Sequence, residues 1–171
     1  MAYCPNNNSI YLLGGSQQKN CEICNINNIN NLVFKTLPQL NEERQEFGVL
    51  CFNNYLYIFF GFNSFKNRHC NTIERINVDN NDKFETIYAN KEIPISSLGC
   101  CIFNDKEGNE EILLLGGYNG ENFLDTSLVF IINDIKVRYG LIIIPNLDII
   151  EQFLFYKESV FIKNQGFTNF I

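Results

Sequence analysis

Residues 112–120 read ILLLGGYNG, a short apolar run closed by two glycines and a polar turn. The same shape recurs at 9–16, SIYLLGGS, and at 55–64, YLYIFFGFNS, where Phe62 stands in for one glycine of the pair. Aligning the first glycines, Gly14, Gly61 and Gly116, gives spacings of 47 and 55 residues. A recurrence at about 50 residues marks one supersecondary unit repeated in space. A glycine pair lets the chain leave a crowded strand with backbone angles that other residues avoid, and lets neighbouring units approach. Gly14, Gly15, Gly61, Gly116 and Gly117 are therefore read as packing positions of the repeat.

Working outward from each copy, short apolar strands alternate with turn residues. The first unit holds strands at 10–13, 21–26 and 32–37, the last ended by Pro38. The second holds 47–52 and 55–60, joined by Asn53-Asn54, then 71–78 and 83–88. Two asparagines can supply the positive φ of a tight hairpin. The third holds 98–103, 111–115, 125–132 and 137–144. Phe34-Lys35-Thr36-Leu37 falls on Phe84-Glu85-Thr86-Ile87, and in the same register Ile23 falls on Ile73 and Ile26 on Ile76. Enrichment in Ile, Leu, Phe and Tyr with frequent turns predicts antiparallel sheet throughout. Little helix is expected; 40–47 is the place where a helical turn or two would fit. Apolar runs at 153–156 and 159–162 read as the start of a further unit that lacks its glycine pair.

Composition excludes several function classes. The net charge is −6 and no basic stripe is interleaved with aromatics, which argues against nucleic-acid binding. Apolar runs such as 128–132 and 141–144 fall far short of the ~20 residues that cross a bilayer, so no membrane partner is expected. Residues 1–9, MAYCPNNNS, lack the charged and apolar regions of a signal peptide, so a cytoplasmic location is expected. The 27 asparagines cluster in turns, where their side chains mimic backbone bonds. Seven cysteines, an odd number in a reducing compartment, argue against a disulfide framework. Cys21 and Cys24 on one strand would point to opposite faces and could not chelate one ion, as would the adjacent Cys100 and Cys101. With His69 as the single histidine, no metal and no cofactor is expected, and the cysteines read as small apolar residues.

Four strands per unit, a double glycine closing the second and an aromatic in the fourth resemble the kelch repeat of β-propellers. In the second copy Arg44 stands where that family often has an arginine, YLYIFFG is the second strand with its glycine, and Phe84 takes the place of a tryptophan. The first copy matches through 10–15 and Phe34, the third through 112–117 and Phe130. The chain departs from the family in having no tryptophan. The resemblance implies a single all-β domain over 1–171, a kelch-type β-propeller arc of about three four-stranded antiparallel blades plus a partial blade. The blades would lie roughly at 1–38, 44–94 and 96–145, with the partial one at 150–171.

The same resemblance implies a non-catalytic scaffold or adaptor that presents blade loops to a protein partner. Connections 39–46, 62–70, 91–97 and 118–124 would emerge at one end, carrying Lys66, Arg68 and His69 beside Glu42, Glu43 and Glu46. Propellers close with about 4–8 blades, so an arc would expose sheet edges open to self-association, or would be one piece of a larger assembly. Some propellers of this kind are oxidases or sugar isomerases. A copper site would need several converging histidines, which one His cannot supply. Glu110 and Glu111 read as a solvated pair at a turn.

Overall fold

Asn53 and Asn54 take positive φ, 46° and 60°, and fold the chain back in a two-residue hairpin that pairs Phe52 with Tyr55. The computed structural model describes residues 1–89, 93–105, 107–125, 127–131 and 136–140. Among these residues there is no helix. The first sheet is β1 (Ala2–Cys4), β2 (Ser9–Leu13), β3 (Cys21–Asn25) and β4 (Phe34–Leu37), antiparallel and in that order. The second is β5 (Gly48–Phe52), β6 (Tyr55–Phe59), β9 (Thr72–Asn77) and β10 (Glu85–Ala89). Between β6 and β9 lies a small ribbon of β7 (Phe62–Asn63) and β8 (Arg68–His69). The third sheet is β11 (Gly99–Asn104), β12 (Glu110–Leu115), β13 (Ser127–Ile131) and β14 (Lys136–Gly140). The expected partial unit at 150–171 lies outside the described residues.

The sheets stack through apolar side chains. Ala2, Cys4, Tyr11, Leu13 and Cys21 of the first meet Cys51, Leu56, Ile58 and Ile76 of the second. The opposite face of the second sheet, with Leu50, Tyr57 and Phe59, meets Ile112, Leu114 and Phe130 of the third. Leu113, Val129 and Cys101 form a further apolar cluster on the third sheet's far face. A strand buried on both faces must be apolar at every position, which is why β6 reads YLYIF without alternation. Glu111, expected at a solvated turn, is buried within β12.

Strand pairing corrects the glycine register. Gly15 donates its N–H to Arg44 O at 3.0 Å, and Gly61 donates in the same way to Ile95 O at 3.0 Å. Gly14 donates to Asn20 O, and Phe60 to Thr72 O. Gly61 thus corresponds to Gly15 and Gly117, and the residue replacing a glycine is Phe60, not Phe62. Phe60 takes the φ of +53° that Gly14 also takes, close to the +61° of Gly116. A left-handed conformation costs a side chain about 1–2 kcal/mol. Complete burial of the Phe60 ring, worth roughly 1.5–3 kcal/mol, offsets it. The fourth-strand register of Phe34 with Phe84 agrees with the ladders, since Ile23 pairs Lys35 and Arg75 pairs Glu85. The third strand is displaced by two: Cys21 opposes Leu13 as Ile73 opposes Phe59.

The cysteines divide. Cys4 and Cys51 form a disulfide between the first strands of successive sheets, 47 residues apart in sequence, where the odd cysteine count argued against a disulfide framework. Cys21, Cys24, Cys70, Cys100 and Cys101 are free and buried. Burial pushes the thiols of Cys21, Cys70 and Cys101 up to about 11 and that of Cys100 up to about 12. These four stay protonated at neutral pH and pack as apolar groups. Closing a 47-residue loop restricts the unfolded chain. Reduction with a membrane-permeant or soluble thiol is therefore expected to lower unfolding free energy by about 2–4 kcal/mol. Urea titrations with and without reductant, and of Cys51→Ala, measure this; coincident curves would refute a stabilising crosslink.

Candidate functional site

The connection from β4 to β5 contains the segment 39–46, expected as a polar loop at the end of the blades, with room for a helical turn or two at 40–47. Instead Leu40 and Arg44 are buried. Arg44 threads its guanidinium under the second sheet, donating to Phe60 O (2.9 Å), Thr72 O (3.0 Å), Thr72 Oγ1 (2.7 Å) and Glu74 Oε1 (2.5 Å). The Glu74 carboxylate also accepts from the N–H groups of Asn41 (2.8 Å) and Glu42 (3.2 Å). Both side chains are fully buried. A charge pair in such a place holds only because its hydrogen bonds replace lost hydration. It fixes the strap whose next residues, Gln45 and Glu46, face outward.

Gln45 exchanges backbone hydrogen bonds with Phe62, and Ser96 does the same with Tyr118 one sheet further on. The second and third sheets thereby each tie the entering strap to the chain leaving the second strand. Between the two ties opens a cleft of about 470 Å³, lined by Gln45, Glu46, Phe62, Arg68, His69, Ser96 and Tyr118, with Asn67 and Gly120 at its edge. This size lies in the range of ligand sites, roughly 300–1,000 Å³.

The wall is aromatic. Phe62 and His69 meet edge to face with centroids 5.3 Å apart, His69 and Tyr118 lie at 6.2 Å, and Tyr118 and Phe123 at 5.2 Å. Tyr118 Oη donates to Gly120 O at 2.7 Å, which leaves its ring standing at the wall. Phe123 is 77% exposed, and Phe65 at the tip of the β7–β8 ribbon is also exposed. Glu46 supplies the carboxylate. Its Oε2 accepts from the hydroxyls of Ser97 at 2.9 Å and Ser96 at 3.4 Å.

Of the residues singled out in the sequence, Lys66 sits at the ribbon tip and Arg68 and His69 on β8. The structure separates them by role. Arg68 pairs with Glu42, and Lys66 Nζ lies 3.4 Å from the same carboxylate, so both cations share one anion. His69 lines the cleft beside Arg68, and its buried Nδ1 has no hydrogen-bond partner among the described residues. Glu43 contributes its carbonyl to the Cys70 thiol at 3.6 Å. Tyr118, Phe62 and Glu74 carried no signal as site residues. Tyr118 follows a glycine pair and Phe62 follows Gly61, which is the pattern that could have marked both. Among the described residues no group of three or more His, Cys, Asp or Glu could hold a metal. Nor do they include a helix long and apolar enough to cross a membrane.

Partial burial holds the His69 imidazole below its ordinary 6.5, and the nearby Glu46 carboxylate opposes this only in part. The unfolded chain then takes up the proton first. Stability is full above pH 6.5 and declines as pH falls through the lower folded value. His69→Gln is expected to remove that share of the slope between pH 7.5 and 5.5. Urea midpoints of both proteins across this window test it; an equal slope in the variant would assign the decline to other groups.

No protein-family model matches the chain. No curated protein matches it either. Solved structures do, among them one described as "Structure of YjhT", with a TM-score of 0.64 at 14% identity. The match covers 81% of this chain and 49% of that one, so the chain spans about half the length of that protein. At this identity the likeness speaks to the fold alone.

Proposed function

We propose that this chain is a non-catalytic protein-interaction module, a kelch-type β-propeller arc whose loop end holds a protein partner. The observation that carries the reading is the cleft between the straps at 45–47 and 96–97, walled by contiguous rings and flanked by exposed Phe65 and Phe123. Exposed aromatic residues around a cleft are the usual anchors of an interface. Kelch ancestry is supported by the glycine positions Gly15, Gly61 and Gly117, which share one place in three sheets. Selection of displayed peptides on the folded chain tests the function. Enriched peptides should lose binding to a Tyr118→Ala/Phe123→Ser variant that retains the parent's melting temperature. Peptides indifferent to those changes, or no enrichment, would refute it.

A second reading, a structural piece of a larger propeller or assembly, has its own observation. Phe34 and Phe84 occupy equivalent places in their sheets, yet Phe34 is 45% exposed and Phe84 4%. Tyr3, on the same outer face of the first sheet as Phe34, is likewise exposed. The equivalent face of the second sheet is covered by the first. The uncovered one fits another four-stranded sheet, and self-association would supply it. Light scattering on the purified chain separates the cases: a discrete dimer favours this face as an interface, and a folded monomer opposes it.

A further inference from the structure

We propose that the cleft receives the cationic end of an arginine or lysine side chain offered by a protein partner. This rests on the interaction-module reading and gives that partner a chemistry.

Lys66 and Arg68 converge on Glu42, and Arg44 is spent on Glu74. None of the ion pairs among the described residues includes Glu46. Its hydrogen-bond partners are the neutral hydroxyls of Ser96 and Ser97. The cleft therefore contains a carboxylate held in place by neutral donors. Beside it stand the rings of Phe62, His69 and Tyr118. A cation within about 6 Å of an aromatic face is attracted by the ring's quadrupole, and guanidinium stacks on such faces readily.

His69 adds a second, independent feature: a buried Nδ1 that nothing among the described residues satisfies. Burial favours the neutral imidazole, so this wall does not repel a cation at neutral pH. An anionic guest fits worse. Lys66 and the lining Arg68 are both already engaged by Glu42, and Glu46 would face the guest directly. The chain's net charge of −6 favours approach of a basic partner at long range.

The probe is N-acetyl-arginine amide, titrated into the isotope-labelled chain and followed by NMR, with N-acetyl-norleucine amide and acetate as controls. Saturable shifts are expected at His69, Tyr118 and the Glu46 N–H, with little response to either control. Glu46→Gln, which keeps an oxygen for Ser97, should weaken binding by about tenfold. Tyr118→Leu should weaken it by about threefold, and it serves alone if Glu46→Gln does not fold. Arginine amide binding no better than norleucine amide, or unchanged affinity in both variants, would overturn the proposal. Peptides that bind the loop end without any basic residue would overturn it while leaving the interaction-module reading in place. Absence of any peptide binding would remove both.

Discussion

Arg44→Met is expected to lower unfolding free energy by roughly 3–5 kcal/mol, the cost of leaving a buried charge without its partner. Methionine fills much of the arginine's volume, so the loss is chiefly electrostatic. It removes four hydrogen bonds at once, to Phe60 O, Thr72 O, Thr72 Oγ1 and Glu74. Glu74 would keep only the Asn41 and Glu42 N–H groups as donors in a place closed to water. Glu74→Leu should cost a similar amount for the converse reason. The double variant should cost clearly less than the two together, because neither charge is then stranded. It will not be neutral, since the two N–H groups and the two carbonyls lose partners. Urea unfolding of all four proteins closes the cycle. Full additivity, or an Arg44→Met cost below about 1 kcal/mol, would show that the pair is not coupled as its geometry demands.

This pair also marks the limit of what the sequence disclosed. Strand positions were legible because apolar runs and asparagine turns are local signals: the Asn53-Asn54 hairpin and the Phe34–Phe84 correspondence both appear in the ladders. The segment NEERQEF was not, because a charged string looks the same whether solvated or threaded beneath a sheet. The third-strand Glu74, 30 residues away, with Phe60 and Thr72, converts Arg44 into a core residue. The glycine register failed for a related reason. Residues 60–62 read FGF, and one glycine between two phenylalanines fits either place of the pair. The bond from Gly61 to Ile95 O, not the spelling, selects the second place.

The disulfide was hidden by the same ambiguity. Cys4 stands opposite Ser9 as Phe52 stands opposite Tyr55, whereas Cys51 stands opposite Leu56 as Tyr3 stands opposite Ile10. The two cysteines therefore occupy non-equivalent places on facing surfaces of neighbouring sheets, and that is why they meet. In the candidate site, Lys66, Arg68 and His69 fall together on the β7–β8 ribbon, but charge sharing with Glu42 could not be read from spacing. The cleft itself arises where two straps and two post-glycine aromatics converge, an arrangement no single stretch contains.

Gly61→Ala should be nearly as damaging as loss of Arg44, at roughly 3–5 kcal/mol, combining left-handed strain with overpacking. At Gly61 φ is +101°, and a Cβ would lie 2.7 Å from Gln45 O and 2.9 Å from Phe47 Cβ. One of these neighbours is backbone, so no rotamer change relieves the contact. Gly108 supplies the control. Its φ of +86° is similar, but a Cβ there meets nothing within 4 Å. Gly108→Ala should therefore cost only the conformational part, about 1–2 kcal/mol. The difference between the two variants isolates the packing contribution of a glycine at which two straps converge. A displaced strap at 45–47 also shifts Gln45 and Glu46, two walls of the cleft. Gly61→Ala should consequently disturb His69 and Tyr118 resonances even where the variant is fully folded, while Gly108→Ala leaves them in place. Equal costs at the two glycines would mean that the sheets yield easily at this junction, and that the repeat glycine serves turn geometry alone.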